Sequence, residues 1–234
     1  VYILQNGIII FADSMGTDLV DIPEKIWMAS LFIGMAGVVD FLDGLVARLF
    51  NSTSAMGKQL DSLADVVSFG VAPGMIIYQF LRLGFAQEEN GLDVSIVWLV
   101  PAFILSCAAA WRLAKFNLDT SQDYYFKGVP TPAVGLLVAS LPLIYWNVNE
   151  EWVKSILLNK WAMYAMVLIV SYLMVSNIPI MNFKFKDFSF KNNFPKYLVL
   201  FISIVAIVLL KWLAIPVIFI AYVLVSLLFK SKKA

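Results

Sequence analysis

From Ile96 to Trp111 the chain reads IVWLVPAFILSCAAAW without one charged side chain, and apolar windows of the same character fill most of its length. No other feature constrains the fold as much. A helix needs about 20 residues to cross the roughly 30 Å hydrocarbon core of a bilayer, where every backbone N–H and C=O has to be satisfied within the fold. The windows fall at about 1–12, 26–50, 62–83, 94–116, 131–147, 160–181, 197–210 and 213–229. They predict an all-α, polytopic membrane bundle of about eight transmembrane helices, the first truncated. The break from Lys211 to Pro216 reads either as a loop between two short helices or as a kink in one long helix. Hydrophobic residues make up 61% of the 234 and charged residues 14%, which excludes an ordinary soluble domain. The connections, such as DSMGTDLVDIPEK and DTSQDYYFKGVPTP, are rich in chain breakers and short, so residues 1–234 read as a single integral membrane domain.

The charged residues that remain are informative. A net charge of +1 gives no sign of a nucleic-acid partner, and the single Cys107 allows no intramolecular disulfide. The chain has no His, which removes the commonest general base and transition-metal ligand and leaves carboxylates as the main candidates for either role. With eight spans, most of the 17 basic residues fall on one side, among them Arg48, Lys58, Arg112, Lys115 and Lys127. The opposite side carries Lys25, Arg82, Lys154 and Lys160 among acidic loops. Lysine and arginine collect in cytoplasmic loops, so the first side is expected to face the cytoplasm.

On that side lies VVDFLDGLVARLFNSTSAMGKQLDSLADVVSFG, Val38 to Gly70, with four aspartates. Asp40 and Asp43 are three apart near the end of one predicted span, and Asp61 and Asp65 four apart at the start of the next, so each pair shares a helix face. The short connection makes the two helices antiparallel neighbours and points both pairs into one gap. A single interfacial Asp is readily explained as a cap or a solvated residue; four converging carboxylates need positive charge between them. An all-oxygen ligand set selects hard cations, Mg²⁺ or Mn²⁺ with Ca²⁺ as another occupant, and four carboxylates suffice for two divalent ions. Paired divalent ions are a device for phosphoryl transfer. Between the pairs, Gly44 and Gly57 let a ligand approach the backbone, Arg48 offers a forked donor to phosphate, and Ser54 precedes the second helix. Each also has a plainer use: Gly44 in helix packing, Arg48 as an interfacial anchor, Ser54 as an N-cap.

The string Asp40-x2-Asp43-Gly44-x2-Ala47-Arg48-x8-Gly57-x3-Asp61-x3-Asp65 resembles the complete signature of the CDP-alcohol phosphatidyltransferases, with every fixed position filled. The resemblance implies a membrane helix bundle, often a homodimer, in which two divalent cations move a phosphatidyl group from a CDP-linked lipid to an alcohol and release CMP. It further implies that Asp40 and Asp61 bridge both ions, that Asp43 completes one site, and that Asp65 touches the other and accepts the proton. Gly44, Arg48, Ser54 and Gly57 would meet the CDP head of CDP-diacylglycerol.

Three further segments, DSLADVVSFGVAPG, RLAKFN and FKGVPTPA, are similar to the phosphatidylserine synthase branch, which implies L-serine as acceptor. These similarities cover about residues 1–135, expected to be the catalytic core, with 136–234 supplying additional transmembrane helices. Lys115 departs from the pattern, since arginine is expected there and lysine keeps the charge without the fork. Arg112, Asn117 and Lys127 are the candidate acceptor contacts, and the two basic ones also read as positive-inside residues. Two other functions compete. The same chemistry on glycerol 3-phosphate or an inositol phosphate would call for a denser basic pocket. A cation-coupled transporter would explain paired aspartates but not the fixed offsets of Gly44, Ala47, Arg48 and Gly57, and its path would mark the spans with deep polar residues.

Overall fold

The computed structural model of the chain describes residues 3, 8–12, 18–50, 54–88, 91–118, 125–182 and 189–229. Strand β1 (Ile9–Ala12) pairs antiparallel with β2 (Asp18–Asp21), Ile9 opposite Asp21 and Ala12 opposite Asp18. This replaces the end of the truncated first span expected at 1–12: a run that opens on consecutive isoleucines suits an extended ribbon as well as a helix. Residues 1, 2 and 4–7 of that segment lie outside the described residues.

After Pro23, a 3-10 turn (Glu24–Ile26) leads into α1 (Trp27–Leu49). Helix α2 (Ala55–Val66), a widened π-turn (Val67–Val71) and α3 (Ala72–Ala86) then form one rod of 32 residues. The widening has a local cause. Pro73 has no N–H to give to the carbonyl of residue 69, and the neighbouring Ala72 N–H reaches back five residues to the Val67 carbonyl. The rod begins seven residues before the apolar window because Ser54 caps it in the polar connection.

Two 3-10 turns (Ile96–Trp98 and Val100–Phe103) precede α4 (Ile104–Leu118). Gly70 and Gly74, one turn apart, let α4 lie close to the rod: a Cβ at 70 would stand 2.8 Å from the Ala109 Cβ, and one at 74 would stand 2.8 Å from the Ser106 Oγ. Small residues at this spacing allow apolar helices to approach backbone to backbone. Ser106 uses the contact, its hydroxyl donating to the Gly70 carbonyl at 3.0 Å.

Strand β3 (Tyr125–Lys127) pairs antiparallel with the later β4 (Pro179–Met181). Between them run α5 (Thr131–Asn147), α6 (Glu151–Leu158) and α7 (Lys160–Val175), the last two bent by 70° at Asn159, whose side chain caps α7 by accepting from the Trp161 and Ala162 amides. The chain ends in α8 (Phe190–Leu210) and α9 (Ala214–Leu228). Lys211, at φ +47°, turns it between them, and the Phe194 and Phe229 rings meet at 5.7 Å, so the two helices fold back as a hairpin. The break near Lys211 is therefore a reversal.

Helices α3 and α5 form the centre. Ile76, Ile77, Phe80, Leu81 and Leu83 of α3 and Val134 and Val138 of α5 have no solvent exposure. Outward faces are apolar as well: Phe41 on α1 and Phe201 on α8 are each more than half exposed. That inversion suits lipid as the surrounding solvent. Four helical stretches among the described residues are long and apolar enough to cross a membrane, 24–47, 55–86, 96–118 and 193–228, or five if the bent pair α6–α7 is one span. The last stretch includes the reversal, and α5 is shorter at 17 residues. The chain is an all-α polytopic membrane bundle; among the described residues four to five helices are of membrane length, and the expected number of eight spans is not reached among them.

Candidate metal and substrate site

The site begins with a helix start. Ser54, in extended conformation, accepts from the Gly57 amide through Oγ at 2.9 Å, fixing the first turn of α2. Asp61 and Asp65 follow one turn apart, and α1 brings Asp40 opposite them. One oxygen from each of Asp40, Asp61 and Asp65 lies within 4.8 Å of the other two. Asp40 and Asp65 are half-buried, and Asp61 is exposed. Asp43, exposed on the next turn of α1, does not join the three. Two full charges at that separation repel by about 3 kcal/mol at an effective dielectric near 20. Among the described residues no salt bridge within 4.0 Å reaches any of the three, so no direct ion pair offsets their mutual repulsion there. Its donor chemistry, oxygen throughout in a chain without His, fits a hard divalent cation.

The residues between the pairs divide. A Cβ at Gly44 would meet nothing within 4 Å, so helix packing does not account for that glycine and the space beside it is open. At Gly57 a Cβ would stand 3.0 Å from Ser54 Oγ, and the glycine keeps the cap compact. Ser54 has both of its proposed uses available, because its oxygen accepts from Gly57 while its hydroxyl proton remains to be donated. The Arg48 side chain lies outside the described residues; its backbone continues α1.

A second group of polar side chains adjoins the carboxylates. Helices α2 and α4 run side by side, with Asn117 Nδ2 donating to Ser62 Oγ at 2.8 Å and Lys58 Nζ to the Asn117 carbonyl at 3.3 Å. One turn deeper on α4, Arg112 lies within electrostatic reach of Asp65. Arg112 is only 7% exposed. Its Nη1 donates to Thr131 Oγ1 at 3.0 Å, its guanidinium lies 5.8 Å from the Phe116 ring centre, and its Nε has no hydrogen-bond partner among the described residues. A buried arginine with an unused donor is organised to receive an acceptor. Lys115 donates to Asn177 Oδ1 at 2.6 Å, and Lys127 is exposed on β3. Of the three candidate acceptor contacts, Arg112 alone is buried next to the carboxylates.

Thr131, Ser62 and Asn177 were missed by sequence reasoning. Thr131 stood inside the FKGVPTPA segment as a lone hydroxyl at the mouth of an apolar helix, a usable but weak signal. Asn177 and Ser62 gave none, since their partners are distant in sequence.

The family model for CDP-alcohol phosphatidyltransferase matches residues 7–172, taking in the Asp-bearing helices, α4, α5, α6 and most of α7. Relatives named CDP-diacylglycerol–serine O-phosphatidyltransferase include one from Helicobacter pylori strain J99, 41% identical over 119 residues, which are 50% of this chain and 46% of that protein. One from Saccharomyces cerevisiae is 41% identical over 128 residues, 51% of this chain and 42% of that protein. One from Bacillus subtilis is 35% identical over 122 residues, 52% of this chain and 64% of that protein. The chain thus spans about half the length of the curated relatives it matches. The match covers well over half of the chain and includes both helices that bring Asp40, Asp61 and Asp65 together: the chain belongs to the CDP-alcohol phosphatidyltransferase family.

Proposed function

We propose that the chain transfers the phosphatidyl group of CDP-diacylglycerol to L-serine, giving phosphatidylserine and CMP. The convergence of Asp40, Asp61 and Asp65 within a complete family signature carries this reading. The names of the relatives supply the acceptor.

Asp40, Asp61 and Asp65, with Asp43 at their edge, would hold two divalent cations, Mg²⁺ or Mn²⁺. Bound there, such ions neutralise the pyrophosphate and stabilise charge on the leaving CMP oxygen. The open flank at Gly44, the Ser54 hydroxyl, the compact turn at Gly57 and Arg48 receive the CDP head. Arg112 takes the serine carboxylate on its unused donor, while Asn117 and Lys127 edge the approach. Asp65, between the ligand cluster and Arg112, accepts the serine hydroxyl proton as the new P–O bond forms and the bond to CMP breaks. A chain without His leaves a carboxylate as the natural base.

The active site faces the cytoplasm by the distribution of basic residues, so serine and CMP exchange with that compartment while the lipid tails stay in the bilayer. The chain acts as one membrane domain, residues 1–135 carrying the chemistry and 136–234 adding helices, and the family resemblance adds a homodimer. The test is CMP release by purified protein supplied with CDP-diacylglycerol, Mg²⁺ or Mn²⁺ and a panel of alcohols. Serine-dependent release is expected. Release driven by glycerol 3-phosphate and not by serine would overturn the acceptor and leave the metal cluster standing.

A further inference from the structure

The hairpin α8–α9 lies beyond the family match, yet hydrogen bonds and a short stretch of backbone lead from it to the polar group around Arg112. Helix α9 holds both backbone groups of Met181 in β4: the Tyr222 hydroxyl donates to the Met181 carbonyl at 2.8 Å, and the Met181 amide donates to Ser226 Oγ at 3.3 Å. Ser226 in turn donates to the Tyr222 carbonyl at 2.7 Å. Met181 stands opposite Tyr125 in the β3–β4 ribbon. Past that ribbon the Gly128 amide donates to the Ile178 carbonyl at 2.8 Å and the Val129 amide to the Leu173 carbonyl at 3.0 Å. Gly128 adopts φ +78°, and a Cβ there would lie 2.2 Å from the Met174 carbonyl oxygen, so this turn admits only glycine. Three residues later comes Thr131, fully buried, accepting from Arg112. Tyr222 itself is only 7% exposed.

We propose that Tyr222 is a positioning residue for acceptor recognition: carried by the C-terminal hairpin, it fixes β4, β3 and Thr131, and so sets the orientation of the Arg112 guanidinium toward the acceptor carboxylate. The inference rests on the serine-transfer reading. The reason for such a device is physical. An arginine buried in an apolar bundle with its Nε donor unused has little solvent to hold it, and its fork discriminates a carboxylate only when its plane is fixed. Helix α4, which carries Arg112, does not fix that plane alone; Thr131 does, and the position of Thr131 depends on a ribbon whose far strand is anchored by α9. The segment outside the shared family match would thereby tune which alcohol the shared chemistry accepts.

The experiment measures steady-state CMP release by the full chain in CDP-diacylglycerol vesicles. Removing one hydrogen bond of this kind is expected to raise the serine KM roughly 2- to 10-fold. Tyr222→Phe and Ser226→Ala should each do so, with kcat and the CDP-diacylglycerol KM within about twofold of the parent. In an Arg112→Lys background, which keeps the charge and loses the fork, Tyr222→Phe should add little, because the two act as one unit. Full additivity of the two changes, or equal rises in both KM values, would mean a general packing role and overturn the proposal. Unaltered serine KM in both single variants would overturn it too. A parent protein that ignores serine fails at the earlier step, and the same variants are then read against the KM of the alcohol it does use; an unchanged value there also overturns the positioning role.

Discussion

In the proposed mechanism Asp65 is the residue on which the chemistry and the ion site meet, since it belongs to the three-carboxylate cluster and lies within electrostatic reach of Arg112. Asp65→Asn keeps the shape and removes the base, so CMP release should fall by roughly 10²- to 10⁴-fold, with a further loss from the weakened ligand set, while CDP-lipid binding persists. Near-normal turnover in this variant would sink the assignment. Asp61→Ala removes one of the three clustered carboxylates, and calorimetric titration with Mn²⁺ should show a much weaker site in a protein that still folds, because part of the repulsion has gone with the charge. A titration identical to the parent's would show that the ions bind elsewhere. These residues were legible in sequence because a helix turns a spacing of four into a shared face, and the antiparallel connection of two such faces follows from a short loop. Asp43 shows where that logic stops: spacing alone gave it the same standing as Asp40, yet only Asp40 is carried into the cluster. Ser54 shows the opposite outcome, its two readings proving compatible because a hydroxyl accepts and donates at once.

At the level of elements, the rod Ala55–Ala86 decides how the site is presented. Its π-turn lies between Asp65 and the buried α3, and Gly70 within that turn is one of two glycines that let α4, the helix of Arg112, come close. Gly70→Ala places a Cβ 2.8 Å from that of Ala109, so the helices must part; overpacking of this kind costs about 1–3 kcal/mol. The variant should melt at a lower temperature and lose activity as Arg112 moves from Asp65, and adding Ala109→Gly should recover most of both. Failure of the second change to restore anything would mean that this contact does not set the helix separation. Apolar windows located the helices here, but not the widened turn or its start at Ser54. The turn depends on the donor missing at Pro73, and the early start on a cap in a polar segment that hydropathy ignores. Ribbon β1–β2 was missed because an apolar run of a few residues has no period long enough to separate strand from helix. The sequence leaves the break between the last two windows open, and only the meeting of Phe194 with Phe229 makes it a reversal.

For the whole molecule, the described side chains sort into two ends. One end holds the carboxylates together with Lys58, Asn117, and Lys115 bonded to Asn177. At the other, Tyr145 donates to Asp21 at 2.8 Å and Lys160 grips Glu88 with both carboxylate oxygens within 2.7 Å. Helix α5 joins them, running from Thr131 beside Arg112 to Asn147 near the acidic end. This separation turns the positive-inside expectation into a measurement, because a basic end and an acidic end cannot both face the cytoplasm. Single cysteines are introduced in a Cys107→Ala background, at exposed Gln59 beside the carboxylates and at exposed Glu150 at the far end. A membrane-impermeant maleimide should label Gln59→Cys in inverted membrane vesicles and not in intact spheroplasts, and Glu150→Cys in the reverse pattern. Labelling of Gln59→Cys from outside would place the site on the outer face, where cytoplasmic serine cannot reach it. Labelling of both positions from one side would contradict a bundle in which α5 crosses the bilayer.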